Sequence, residues 1–212
     1  ERSLIKLPKS LAPKEVAPYT DAGLTAYNDT KKASRHLLPG QYVVVLGVGG
    51  LGHIGLQVLK ALCAAEIIAV DRAQGSLALA KECGADHLIQ ADGSEVEAVL
   101  QLTKGRGAEA VIDFVGEGEA IAKGLAMTCN DGYYYIVGYG GRIDIPTIDM
   151  ITSEKTIVGN LVGTYAELVE LMSLADRGRV NLKTKEYKLS AANEALHDLH
   201  NGKIHGRAVL IP

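Results

Sequence analysis

From about residue 41, short apolar runs alternate with longer stretches whose apolar positions recur every three or four residues. The first pattern is that of strands covered on both faces, the second that of helices lying on a sheet. Strands are expected at Tyr42–Leu46, Ile67–Val70, His87–Ile89, Ala110–Phe114, Tyr133–Val137 and Thr156–Val162. Helices are expected between them, at about 50–63, 73–83, 94–103 and 118–128. Gly84, Gly105 and Gly107 fall where helices end or the chain turns. Such an alternation predicts a parallel α/β sheet with crossover helices.

After residue 163 the rhythm changes. A long helix (165–177) leads to Gly178, then to a strand-like run Glu186–Leu189. A helix capped by Ser190 follows, with Asn193 and Glu194 in its first turn, and a last strand is expected at Arg207–Ile211. The first 20 residues, punctuated by three prolines, read as extended linker, and a chain starting at Glu1 reads as cut from a longer protein.

The densest signal is Gly47-Val48-Gly49-Gly50-Leu51-Gly52, which follows the strand Tyr42–Leu46 directly and opens a helix. Alone, this glycine spacing is weak; between a strand and a helix it is the corner that grips a diphosphate. Gly47 permits the tight turn, Gly49 lets the backbone approach a pyrophosphate, and Gly52 lets helix and strand pack closely. The helix N-terminus adds unpaired N–H groups and the positive end of its dipole. Asp71 ends the next strand, 19 residues beyond Gly52, where a carboxylate can accept hydrogen bonds from ribose hydroxyls and repel a 2′-phosphate. The cofactor expected is therefore NAD, held in a doubly wound, six-stranded Rossmann fold. Arg72 could stack on adenine or soften that repulsion.

Composition narrows the field. With 22 Lys and Arg against 25 Asp and Glu, the net charge of −3 offers no basic face, so neither nucleic acid nor an anionic membrane is an expected partner. Cys63, Cys83 and Cys129 are odd in number and widely spaced, which argues against a disulfide framework and points to a reducing, cytoplasmic setting. They read as small buried apolar groups. No apolar run is long enough to span a bilayer.

The segments TDAGLTAY (20–27), LPGQYVVVLGVGGLGHIGLQ (38–57), AVDRAQGSLALAKECGAD (69–86), GAEAVIDFVG (107–116), GNLVGTYAEL (159–168) and GKIHGRAVLIP (202–212) together resemble the medium-chain dehydrogenase/reductase superfamily. Within it, they are similar to the zinc-dependent alcohol dehydrogenases of bacteria and archaea. The resemblance implies hydride transfer between NAD and a primary or secondary alcohol, with the aldehyde or ketone as the other substrate pair. It implies that Thr25 lies near the nicotinamide and that Phe114 and Val115 flank the adenosine and nicotinamide ribose. Val137, Gly138, Tyr139, Leu161 and Val162 would line the nicotinamide pocket, although Val137, Leu161 and Val162 read equally well as sheet core. Arg207 would contact the pyrophosphate.

Asp21 stands where the family usually places a cysteine ligand of its catalytic zinc. A carboxylate can bind zinc at about 2.0–2.2 Å, but Asp21 could equally cap the helix that follows. The family's other zinc ligands belong to an N-terminal catalytic domain, of which residues 1–23 would be the end. Residues 24–162 would form the NAD-binding domain, and residues 163–212 would pack with the catalytic domain. By the same resemblance the last sheet strand, Thr156–Val162, would pair across a two-fold axis to give a homodimer or homotetramer. Two other readings stay open: a module that binds NAD without turnover, and a zinc-free quinone or alkene reductase of the same superfamily.

The remaining candidates have bland readings. His197 and His200 lie three apart on an expected helix with His205 downstream, a spacing that can hold a metal but more simply marks a solvated face. His53 would sit against the sheet or the cofactor edge, without a catalytic role. Glu95 and Glu97 with Lys104 read as a surface helix face, and Tyr133–Tyr135 as the fifth strand with rings on alternate faces.

Overall fold

The computed structural model describes residues 4–212. Among these, six parallel strands form one sheet in the order β3-β2-β1-β4-β5-β6. They are β1 (Tyr42–Leu46), β2 (Glu66–Asp71), β3 (His87–Gln90), β4 (Ala108–Asp113), β5 (Thr128–Ile136) and β6 (Thr156–Gly159). This is the doubly wound α/β Rossmann order, with its reversal between β1 and β4.

Residues alternate between the two faces of each strand, and the core divides accordingly. Val43, Val45, Ile67, Ala69, Ala110, Ile112 and Tyr135 pack on one face against α2 (Ala22–Ser34), α3 (Gly52–Leu62) and α4 (Gln74–Glu82). Val44, Leu46, Ile68, Val70, Val111 and Tyr134 pack on the other, against α5 (Glu95–Leu102) and α6 (Ala120–Met127). A third cluster joins α2 and α3 to α8 (Tyr165–Asp176) and to α1 (Pro13–Val16) through Tyr19, Tyr27, Ile54, Val58, Leu171 and Met172. After α8, β7 (Thr184–Lys188), α9 (Ala192–His200) and β8 (Arg207–Ile211) build a two-stranded parallel ribbon.

Several expectations are corrected here. Part of the supposed linker is helical: α1 runs into a 3-10 turn over Ala17–Thr20, and Pro13 suits a first helical position because the missing N–H has no partner to lose there. Strand β5 starts at Thr128, with a register irregularity opposite Ala108 and Ala110. Strand β6 stops at Gly159: the Asn160 side-chain amide donates to the Val158 carbonyl, and Val162 takes a φ of 43°, outside the strand region. Helix α7 (Thr147–Ser153) was not foreseen; none of its residues is buried, so it carries no core-facing stripe. Ser190 does not cap α9: it lies in a 3-10 turn, and Ala191 occupies the cap position without a side-chain bond. No described helix is long and apolar enough to cross a membrane.

Candidate nucleotide-binding site

The glycine corner follows β1 as its spacing requires. Gly47 has a φ of 86°, a region in which side chains are strained, and a Cβ there would come 2.7 Å from Val115 Cγ2. A Cβ on Gly52 would overlap the Gly47 carbonyl, so helix and strand meet backbone to backbone. Gly49 has open space where its side chain would be. Over Gly50 lies the side chain of Arg207, whose Cδ and guanidinium nitrogen stand 2.9 Å from a would-be Cβ. Leu51 caps α3 with its backbone alone.

Two hydrogen-bond sets hold this corner. Asp71 Oδ2 accepts from Val48 N–H at 2.7 Å, and its Oδ1 from Ala73 N–H at 2.8 Å. Each oxygen keeps a second lone pair, so the carboxylate is oriented without being used up. His53, fully buried at 0% exposure, has Nδ1 2.8 Å from the Gly49 carbonyl, while its Nε2 accepts from Lys183 N–H at 3.4 Å. That pairing puts the ring proton on Nδ1, and burial lowers the imidazole pKa, with the Gly49 bond opposing. One turn further, Gln57 exchanges two 2.9 Å hydrogen bonds with the Asn181 backbone. Together they tie α3 to the segment before β7 and bring Arg207, at the start of β8, over the corner.

A cavity of about 620 Å³ opens at the carboxyl ends of β1, β2 and β4, the reversal point where such sheets bind ligands. It gathers Gly47, Asp71, Arg72 and Val115 from the sequence expectations. Phe114 points the other way, its ring packing against Gly52 and Gly55 on α3. Val137 and Gly138 follow β5, both donating to the Asp113 carbonyl, and Gly138 meets Gly116 backbone to backbone. Thr25 is part-buried on α2, Tyr139 is 91% exposed and Leu161 85% exposed. The Val162 carbonyl accepts from the Asn28 side chain.

Three groups escaped the sequence reading. Glu95, read as a surface residue, is only 2% exposed and lines the cavity. Its carboxylate accepts from Gly93 N–H at 2.7 Å and meets Lys123 Nζ at 2.8 Å. Burial would raise its pKa, but the Lys123 ammonium and the backbone N–H bonds outweigh burial and hold it below the usual range. Asp113, buried at the end of β4, accepts from Val115 and Gly116 N–H and from the Tyr134 hydroxyl. An acid at a strand end was the available signal for Asp113; Glu95 and Lys123 lie too far apart in sequence to suggest a pair.

Asp21 is exposed and makes no side-chain capping bond; its carbonyl accepts from Thr25 N–H. Among the described residues, no three His, Cys, Asp or Glu side chains gather as a metal site. His197 and His200 are both exposed on α9.

Residues 50–177 match the model of a family described as zinc-binding dehydrogenase. The chain is 38% identical over 210 residues to a protein of Sulfurisphaera tokodaii named NAD-dependent alcohol dehydrogenase, covering 96% of this chain and 59% of that one. The crystal structure of the alcohol dehydrogenase from Aeropyrum pernix superposes with a TM-score of 0.96 at 46% identity, covering all of this chain and 62% of its own. The acetophenone reductase of Geotrichum candidum, solved in complex with NAD, superposes with a TM-score of 0.85 at 27% identity over 98% of this chain and 58% of its own. The chain thus spans about three fifths of the length of these relatives.

Proposed function

Since the chain belongs to the zinc-binding dehydrogenase family, we propose that it is the nucleotide-binding part of an NAD-dependent alcohol dehydrogenase. The observation that carries this reading is the oriented Asp71 carboxylate beside an open Gly49 and an overlying Arg207, all at one strand-to-helix corner. The residues fit the cofactor. Backbone N–H groups at the start of α3 and the Arg207 guanidinium would hold the pyrophosphate, and Asp71 the adenosine ribose. Arg72 and Val115 border the same cavity. Val137, Gly138, Tyr139, Thr25, Leu161 and Val162 would line the nicotinamide end, and Phe114 packs behind the corner against α3.

Bound NAD supplies the hydride acceptor; the protein positions it and shapes the field around it. The substrate pair of the whole protein is a small alcohol and its aldehyde or ketone. Asp21 is proposed as one zinc ligand of that whole protein, but the described residues gather no further donors around it, so no step of the reaction is assigned to zinc in this chain. The same observation favours a second reading, in which the 212-residue chain binds nucleotide without turnover. Pairing of the sheet edge at β6 is the proposed route to a homodimer or a homotetramer.

Titrating NADH by its fluorescence tests the cofactor reading. Asp71→Ala should weaken binding by about 1.5–3 kcal/mol, the worth of charge-assisted hydrogen bonds. Unchanged affinity would remove Asp71 from the site.

A further inference from the structure

The cavity has two chemically different ends. Asp71, Arg72 and Gly47 stand at the corner, while Glu95 and Lys123 stand where α5 and α6 begin to close over the sheet. Leu46, Val70, Ala91, Val115 and Ala120 supply its apolar wall, and Glu117 and Glu119 also line it. An apolar wall with polar groups around it suits a ring with polar groups at its rim.

Glu95 and Lys123 form an ion pair at 2.8 Å, with Glu95 almost wholly buried. Lys123 also reaches Glu119 at 3.0 Å, leaving the Glu95 side of the pair anchored by Gly93 N–H. Only the Glu95 half of the pair is buried; the Lys123 side chain stays 30% exposed. Both residues line the nucleotide-sized cavity, so a carboxylate acceptor and an ammonium donor stand side by side at its wall.

Resting on the proposed NAD site, we propose that Glu95 and Lys123 read the base of the dinucleotide. Together they present an acceptor beside a donor. Adenine presents the complement: a 6-amino donor for the Glu95 carboxylate, beside a ring-nitrogen acceptor for the Lys123 ammonium. Hypoxanthine reverses both, with a 6-oxo acceptor and an N1–H donor. The ribose, held by Asp71, prevents the base from sliding across to match the pair in the opposite order. The site thus selects an aminopurine, and Glu95 and Lys123 are its specificity-determining residues.

The test uses NADH and its deaminated analogue, reduced nicotinamide hypoxanthine dinucleotide, titrated into the 212-residue chain. The chain should bind NADH roughly tenfold more tightly, as expected for one reversed donor–acceptor pair. Glu95→Gln, whose amide can both donate and accept, should bring the two affinities close to equal, and Lys123→Met should also narrow the ratio. If the unaltered chain binds both nucleotides equally well, base reading is overturned while the cofactor site stands. Base reading also fails if Glu95→Gln lowers the melting temperature but leaves the ratio unchanged, since the pair is then a tie between α5 and α6. A chain that binds neither nucleotide overturns both readings.

Discussion

At the scale of single residues, the buried polar side chains among the described residues divide into those with partners and one without. Asp71, Asp113 and Glu95 each accept backbone N–H bonds that shape a loop at the carboxyl end of the sheet. Asp29 is different. It is fully buried on α2, and neither carboxylate oxygen has a hydrogen-bond partner. Burial pushes its pKa from 3.8 up to about 8, with Lys32 pulling weakly the other way; Tyr135 is the other titratable group it influences. An acid harder to ionise in the folded chain makes stability fall as pH rises from 3.8 towards about 8. His53 acts in the opposite sense: its lowered pKa makes stability fall as pH drops below the ordinary 6.5. Asp29→Ala should therefore raise stability at pH 8 by about 1–3 kcal/mol, removing the unpaired polar group and favouring the helix. Thermal melts should show the decline between pH 3.8 and about 8 flattened and the loss below pH 6.5, set by His53, retained. An unchanged decline over that window would show that Asp29 finds a partner in solution.

At the scale of elements, periodicity revealed both helices with one wet face, such as α4 and α5, and α3, which is buried all round from Gly52 to Leu59. Helices α3, α4, α5 and α6 fall within about two residues of their expected bounds, the usual uncertainty of helix ends. Helix α2 shows the opposite case. The run Asn28-Asp29-Thr30 looks like surface, yet all three residues are buried, because α2 lies between the sheet and α8. Helix α8 carries its start signal in sequence: Thr164 accepts from Glu167 N–H, and the Glu167 side chain returns to Thr164 N–H. Thr164→Ala should cost about 0.5–2 kcal/mol, read as a shift in the denaturation midpoint. No shift would mean that packing alone holds that end.

At the scale of the whole molecule, β6 is one of the two sheet edges, and an apolar edge needs cover. Ile148 and Ile151 of α7, which precedes β6 in the chain, and Leu161, which follows it, are exposed. Light scattering over a concentration series should give a dimer or tetramer, and placing a Lys at Ile157, on β6, should shift it towards monomer. A monomer at every concentration would contradict edge pairing.

Sequence by itself determined the strand count, the parallel sheet, the glycine corner and its acid. Each depends on local pattern: short apolar runs, a period near 3.6, and a turn that only glycine fits without strain. The tertiary structure alone decided that Asp29 is sealed from water, that Glu95 pairs with Lys123 in the cavity wall, and that Arg207 lies over Gly50. These depend on which segments, far apart in the chain, are pressed together, and burial and partnership belong to both surfaces of a contact, whereas a residue pattern describes one.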